Sequence, residues 1–126
     1  MSYLELAESQ LRRVQTAAVD PPDQVEAVTF AFYAYENAAG AVAAVKNLSW
    51  PHNHYKKAEI ASKLFTDRVL SKDIGGEMLR LNGLRKCVNY GEPGPELEEI
   101  DLEDLASGLE DFTNEVARIL DETEEA

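Results

Sequence analysis

Residues 27–45, AVTFAFYAYENAAGAVAAV, are apolar at every position except Thr29, Glu36, Asn37 and Gly40. A helix that is apolar nearly all round is either covered by protein on several sides or crosses a membrane. Glu36 and Asn37 at its midpoint, with heavy use of alanine, favour the first. Val25, Val28, Phe32, Tyr35, Ala39 and Val42 form one stripe, and Phe30, Tyr33, Ala34, Ala41 and Val45 extend over another. One stripe can serve the core of the chain. The surplus suggests a second helix-covered surface, such as a dimer contact.

The flanking sequence continues the helical pattern. Ahead of this segment, Ser2–Ala18 reads as a helix with capping-box spacing at Ser2 and Glu5 and one face of Leu4, Ala7, Leu11, Val14 and Ala18. Asp20-Pro21-Pro22 ends it and opens the central helix, expected over Pro22–Asn47. Beyond a loop at residues 48–53, punctuated by Pro51, a third helix is expected over Asn53–Val69, with Ala61, Leu64, Phe65 and Val69 inward. Ser71–Gly76 breaks the pattern, and a fourth helix follows over Glu77–Tyr90. Gly91-Glu92-Pro93-Gly94-Pro95 is a loop. A last helix starts near Asp101 with Leu102, Leu105, Leu109, Phe112, Val116 and Leu120 on one face, and 121–126 is expected to fray. The fold class is therefore all-α, an antiparallel bundle of four to five helices in a single domain spanning 1–126.

The composition bounds the setting. There is no charged-then-apolar leader and no aliphatic run long enough for a membrane span, so a cytoplasmic, membrane-free protein is expected. The one cysteine, Cys87, has no partner for an internal disulfide and reads as a small packed hydrophobe. The formal charge of −12 is unevenly spread. From Glu92 onward, fourteen acidic residues face the single basic Arg118, whereas Lys46–Lys86 holds nine basic and four acidic residues. A basic patch mid-chain would suit a polyanion; a solvated surface of mixed sign fits the same counts.

Chemistry concentrates at Leu81-Asn82-Gly83-Leu84-Arg85-Lys86-Cys87-Val88-Asn89-Tyr90-Gly91. Leu81, Leu84 and Val88 share a helix face, while Arg85 and Tyr90 stand five residues apart. This stretch resembles the signature of HEPN domains, helical bundles in which an arginine is followed after four residues by a histidine. Arg85 matches the arginine, and Tyr90 stands in the histidine's place. The order of the other helices is also similar. The resemblance implies a homodimer whose cleft gathers Arg85 and Tyr90 from two protomers, acting on an RNA phosphate without a metal or other cofactor. It also implies RNA or a nucleotide as ligand, and a nucleotidyltransferase as a protein partner. In the toxin branch of the family a tyrosine lies two residues past the histidine; here that position is Glu92.

Arg85 suits phosphate because a guanidinium is permanently charged and forks onto two oxygens. Pairing with Glu36 or another buried carboxylate is the competing reading. A phenol is a poor proton carrier near neutrality, so Tyr90 reads as a hydrogen-bond donor, a stacking surface or an aromatic plug. Lys86 and Asn89 are further candidate contacts. His52 and His54 flank Asn53 and make a thin metal site, so a surface loop is expected; folding can nonetheless bring His54 to Arg85 as a substitute base. Three functions follow: an RNA-, nucleotide- or protein-binding module with weak or no catalysis, an active endoribonuclease using Arg85 with Tyr90 or a loop histidine, or an acidic scaffold for a basic partner.

Overall fold

The computed structural model describes residues 2–19, 21–90 and 100–125, with the side chains of Asn89, Tyr90, Glu124 and Glu125 outside that description. Among the described residues every regular element is helical: α1 (Tyr3–Ala17), α2 (Gln24–Val45), α3 (His54–Thr66), α4 (Gly75–Tyr90) and α5 (Leu102–Glu125). The expected all-α bundle is observed. Among those residues no helix is long and apolar enough to cross a membrane.

Local chemistry sets the helix ends. Ser2 and Glu5 close the expected capping box on α1, each side chain accepting from the other's backbone N–H at 3.2 Å. Asp23 caps α2 by accepting from Glu26 N at 3.0 Å, so the helix starts two residues after Pro22. Asn47 closes α2 with φ 59°, and Arg68 closes α3 with φ 63°. In each case the next residue bonds back to the last turn: Leu48 N–H to Ala43 O and Val69 N–H to Leu64 O, both at 2.8 Å. That closure ends α3 before the expected Val69. Asp101 opens α5 by accepting from the N–H groups of Glu103 and Asp104 at 3.0 and 3.1 Å.

α2 is the axis of the bundle. It packs against α1, α5 and α4 and more lightly against α3, while α1 also meets α5 and α3 meets α4. Its buried positions therefore run round the helix, from Ala27 and Val28 to Val42 and Ala43. Part of the apolar surplus that suggested a second surface is covered within the chain: Ala34 and Ala41 are buried, whereas Phe30, Tyr33 and Val45 are half-buried. Small residues allow this, because alanine lets neighbouring backbones come close on several sides at once. Ala7, Leu11 and Val14 bring α1 onto it as their spacing predicted, with Ala17 buried in place of the expected Ala18, and Leu102, Leu105, Leu109, Phe112 and Val116 bring α5.

Three expectations change. Phe65 was placed inward but is 41 % exposed, because the buried line of α3 runs through Ala58, Ala61 and Leu64. The fourth helix begins at Gly75 rather than Glu77. Asp73 accepts from Gly75 N at 3.0 Å and from Ser62 Oγ at 2.7 Å, tying this start to α3. A Cβ at Gly75 would lie 2.7 Å from Ala58 O, so only glycine permits the two helices to meet this closely. α5 stays helical to Glu125, past the expected fraying point, in a run rich in glutamate, a good helix former.

Candidate functional site

Glu36 lies mid-way along α2 and is 3 % exposed. An ionised carboxylate this deep needs charged or hydrogen-bonding partners. The first turn of α3 supplies them. His54 and Lys57 are three residues apart and so share a face. His54 Nδ1 lies 2.7 Å from Glu36 Oε2, and Lys57 Nζ lies 3.4 Å from Oε1. Lys57 Nζ also sits 5.9 Å from the centre of the Trp50 ring. A carboxylate only accepts, so Nδ1 donates, and the neutral imidazole keeps Nε2 as its acceptor. The His54 side chain remains 34 % exposed, within reach of a ligand.

Phe32, one turn before Glu36, connects this cluster to the motif helix. The His54 ring meets it edge-on with centroids 5.1 Å apart. The Arg85 guanidinium carbon is also 5.1 Å from the Phe32 centroid, and 5.8 Å from that of Tyr33. His54 and Arg85 thus share one aromatic ring as a common neighbour. Arg85 additionally donates to Asn82 Oδ1 at 2.8 Å and is 6 % exposed. Among the described residues Glu36 is held by His54 and Lys57 of α3 and not by Arg85, so Glu36 is not the carboxylate expected for that arginine. Lys86 points toward α3, its Nζ 3.4 Å from the Tyr55 hydroxyl and 5.4 Å from that ring's centre.

Of the predicted site residues, the fold therefore gathers Arg85, Lys86, Glu36 and His54 at the α2–α3–α4 junction. The side chains of Tyr90 and Asn89 lie outside the described residues, as does the loop with Glu92. His52 is exposed, and Cys87 is a half-buried free thiol. Among the described residues no three His, Cys, Asp or Glu side chains converge as a metal site. Lys57, Phe32 and Asn82 were not singled out from sequence. The i, i+3 spacing of His54 and Lys57 was the available signal for Lys57; nothing local marks the other two.

A second concavity, of about 970 Å³, lies between α4 and α5 and is lined on its inner side by Tyr35 of α2. Tyr35 is 6 % exposed and stacks on Phe112 with centroids 5.5 Å apart and a 24° tilt. Burial raises its phenol well above the ordinary range, and the charges of Glu77 and Asp111 push it the same way. Because the folded-state value is raised, the neutral phenol favours the native state. That contribution is complete below about pH 10 and is lost as pH rises through the folded-state value. In an alkaline titration followed at 295 nm, Tyr35 is expected to ionise only as the helical circular dichroism collapses. The late step should vanish in Tyr35→Phe; a difference between the two titrations while both proteins remain helical would mean that Tyr35 ionises in the folded state and would refute it.

Among the described residues, fold and site together define a five-helix bundle in which a buried glutamate is held by a histidine and a lysine beside an arginine. Compared with known proteins, the chain matches no family model, no curated protein and no solved structure.

Proposed function

We propose that this chain is a HEPN-like module that binds RNA or a nucleotide phosphate at the α2–α3–α4 junction, with weak or no cleavage. The observation that carries the reading is the packing of His54 and Arg85 against the same Phe32 ring, with Glu36 anchoring the imidazole. Lys86 adds positive charge beside Tyr55, which is 56 % exposed and offers a ring for a base to stack on. Arg85 lies beneath this surface and contributes its charge from inside, which suits binding better than close approach to a transition state. The family resemblance adds a homodimer as the working unit and a nucleotidyltransferase as a candidate partner.

Slow metal-independent cleavage is the second reading, and the orientation of His54 favours it. With Nδ1 committed to Glu36, Nε2 is the ring atom left to take or return a proton, a task for which a phenol such as Tyr90 is poorly suited. One experiment separates these readings from an acidic scaffold that ignores RNA. Binding of a single-stranded RNA is titrated at several salt concentrations, and cleavage of the same RNA is followed in chelator. The expected result is binding that weakens steeply with salt, with Lys86→Ala lowering the log–log slope by about 1. Any cleavage should disappear in both His54→Ala and Arg85→Ala. Absence of RNA binding by the wild-type protein would sink the proposal and leave the scaffold reading.

A further inference from the structure

We propose that the groove between α4 and α5 is a binding site for a linear aliphatic triamine. This inference uses a different face from the RNA reading and stands independently of it. The groove is lined by six carboxylates against three cationic side chains, a formal −3. Several of these groups are already engaged. Arg80 is tied to Glu77 through Nε at 3.1 Å, and Glu115 accepts from both the backbone and the hydroxyl of Ser71. Asp101 caps α5, and Asp73 holds the start of α4. Bonds to neutral donors leave the charges of Glu115, Asp101 and Asp73 in place, so the field in the groove stays negative.

Asp104 and Asp111 are exposed and unengaged among the described residues. They are seven residues apart on α5, on the same face and about 10 Å apart along the axis. Between them on that face is Gly108, where a Cβ would lie 3.4 Å from the Tyr35 hydroxyl. The missing side chain opens a gap through which Tyr35 Oη meets the groove. The Tyr35 side chain is otherwise enclosed, and its hydroxyl has no hydrogen-bond partner among the described residues. The hydroxyl opens onto the groove at the gap beside Gly108, where a ligand's ammonium can give it the hydrogen bond it lacks within the fold.

Three acceptors therefore stand in a row: Asp104, Tyr35 Oη and Asp111. An extended triamine presents three ammonium groups over a similar length. Its end ammoniums meet the two carboxylates, and its central one donates to the phenol oxygen. The methylene chains cover the small apolar part of the lining that the buried Leu84, Leu105, Phe112 and Tyr35 leave between the charged groups. Three positive charges also match the formal −3 of the lining.

Spermidine is the probe, titrated calorimetrically into the full-length chain at near-physiological salt. One-to-one binding is expected. Asp104→Asn/Asp111→Asn should weaken it at least tenfold, and Tyr35→Phe about threefold or more. Asp121→Asn/Glu122→Gln, which removes the same charge further along α5, should leave it within twofold. The altered groove carboxylates are exposed, and Tyr35→Phe retains the ring, so each variant keeps its fold, with circular dichroism as the check. Equal weakening by the two acidic double variants, or full replacement of spermidine by magnesium at equal charge, would mean counter-ion association and overturn the proposal. Wild-type affinity in Tyr35→Phe would overturn it equally, and so would the absence of heat with wild type.

Discussion

Phe32→Ala is expected to cost about 3–5 kcal/mol of stability, the range for truncating a fully buried phenylalanine. The side chain is 1 % exposed and sits where α2, α3 and α4 converge, so little around it can collapse into the space left behind. The ring also serves as the shared surface for the His54 edge and the Arg85 guanidinium. Its aromatic contact with His54 is worth roughly 0.5–1.5 kcal/mol beyond burial, and a cation over the ring a similar amount. Phe32→Leu divides the two contributions. Leucine restores most of the buried area and should cost about 1–2 kcal/mol, while still losing both aromatic contacts. Urea denaturation followed by circular dichroism measures each value, and RNA binding by Phe32→Leu reports on the site alone. A Phe32→Ala loss below about 1 kcal/mol would mean that the junction is not packed as described.

Glu36→Ala is expected to cost about 3 kcal/mol, near the lower end for breaking a buried ion pair. The carboxylate is 4 % exposed, whereas Lys57 and His54 retain 16 % and 34 % exposure, so solvent relieves part of the loss. Removing the acid leaves a largely buried ammonium without its counter-charge and an imidazole without its anchor. Replacing the pair together, as in Glu36→Leu/Lys57→Met, should be much closer to neutral, since apolar groups of similar size need no solvation. With Glu36→Leu and Lys57→Met as the single variants, the interaction energy from the double-mutant cycle is the decisive quantity. Additive effects would show that the two groups do not depend on each other.

Both predictions concern contacts that no short stretch of sequence encodes. The capping box of Ser2 and Glu5 was legible because its partners lie within one turn, and the face of α5 was legible because a helix of fixed pitch turns spacing into direction. The burial of α2 on several sides was readable from residues 27–45, yet what covers it was not. An apolar surface registers in sequence without naming its partner, and here α1, α4, α5 and, more lightly, α3 provide the cover. Phe65 was misplaced for a related reason: apolar side chains at neighbouring angles of a short helix compete for one interface, and the smaller Ala58–Ala61–Leu64 line is the one that faces the core.

The candidate site divides in the same way. Sequence alone determined a chain of helices with stops at prolines and loops, a basic middle and an acidic end, and Arg85, Lys86, Glu36 and His54 as groups worth following. These are properties of composition and of spacing within a turn or two. Only the tertiary structure decided that Glu36 takes His54 and Lys57, that Arg85 rests on Phe32, and that Tyr35 reaches a groove through the space left by Gly108. The physical reason is that a buried charge accepts whichever partner arrives with the right geometry. That geometry is set by helix crossings tens of residues apart in the chain.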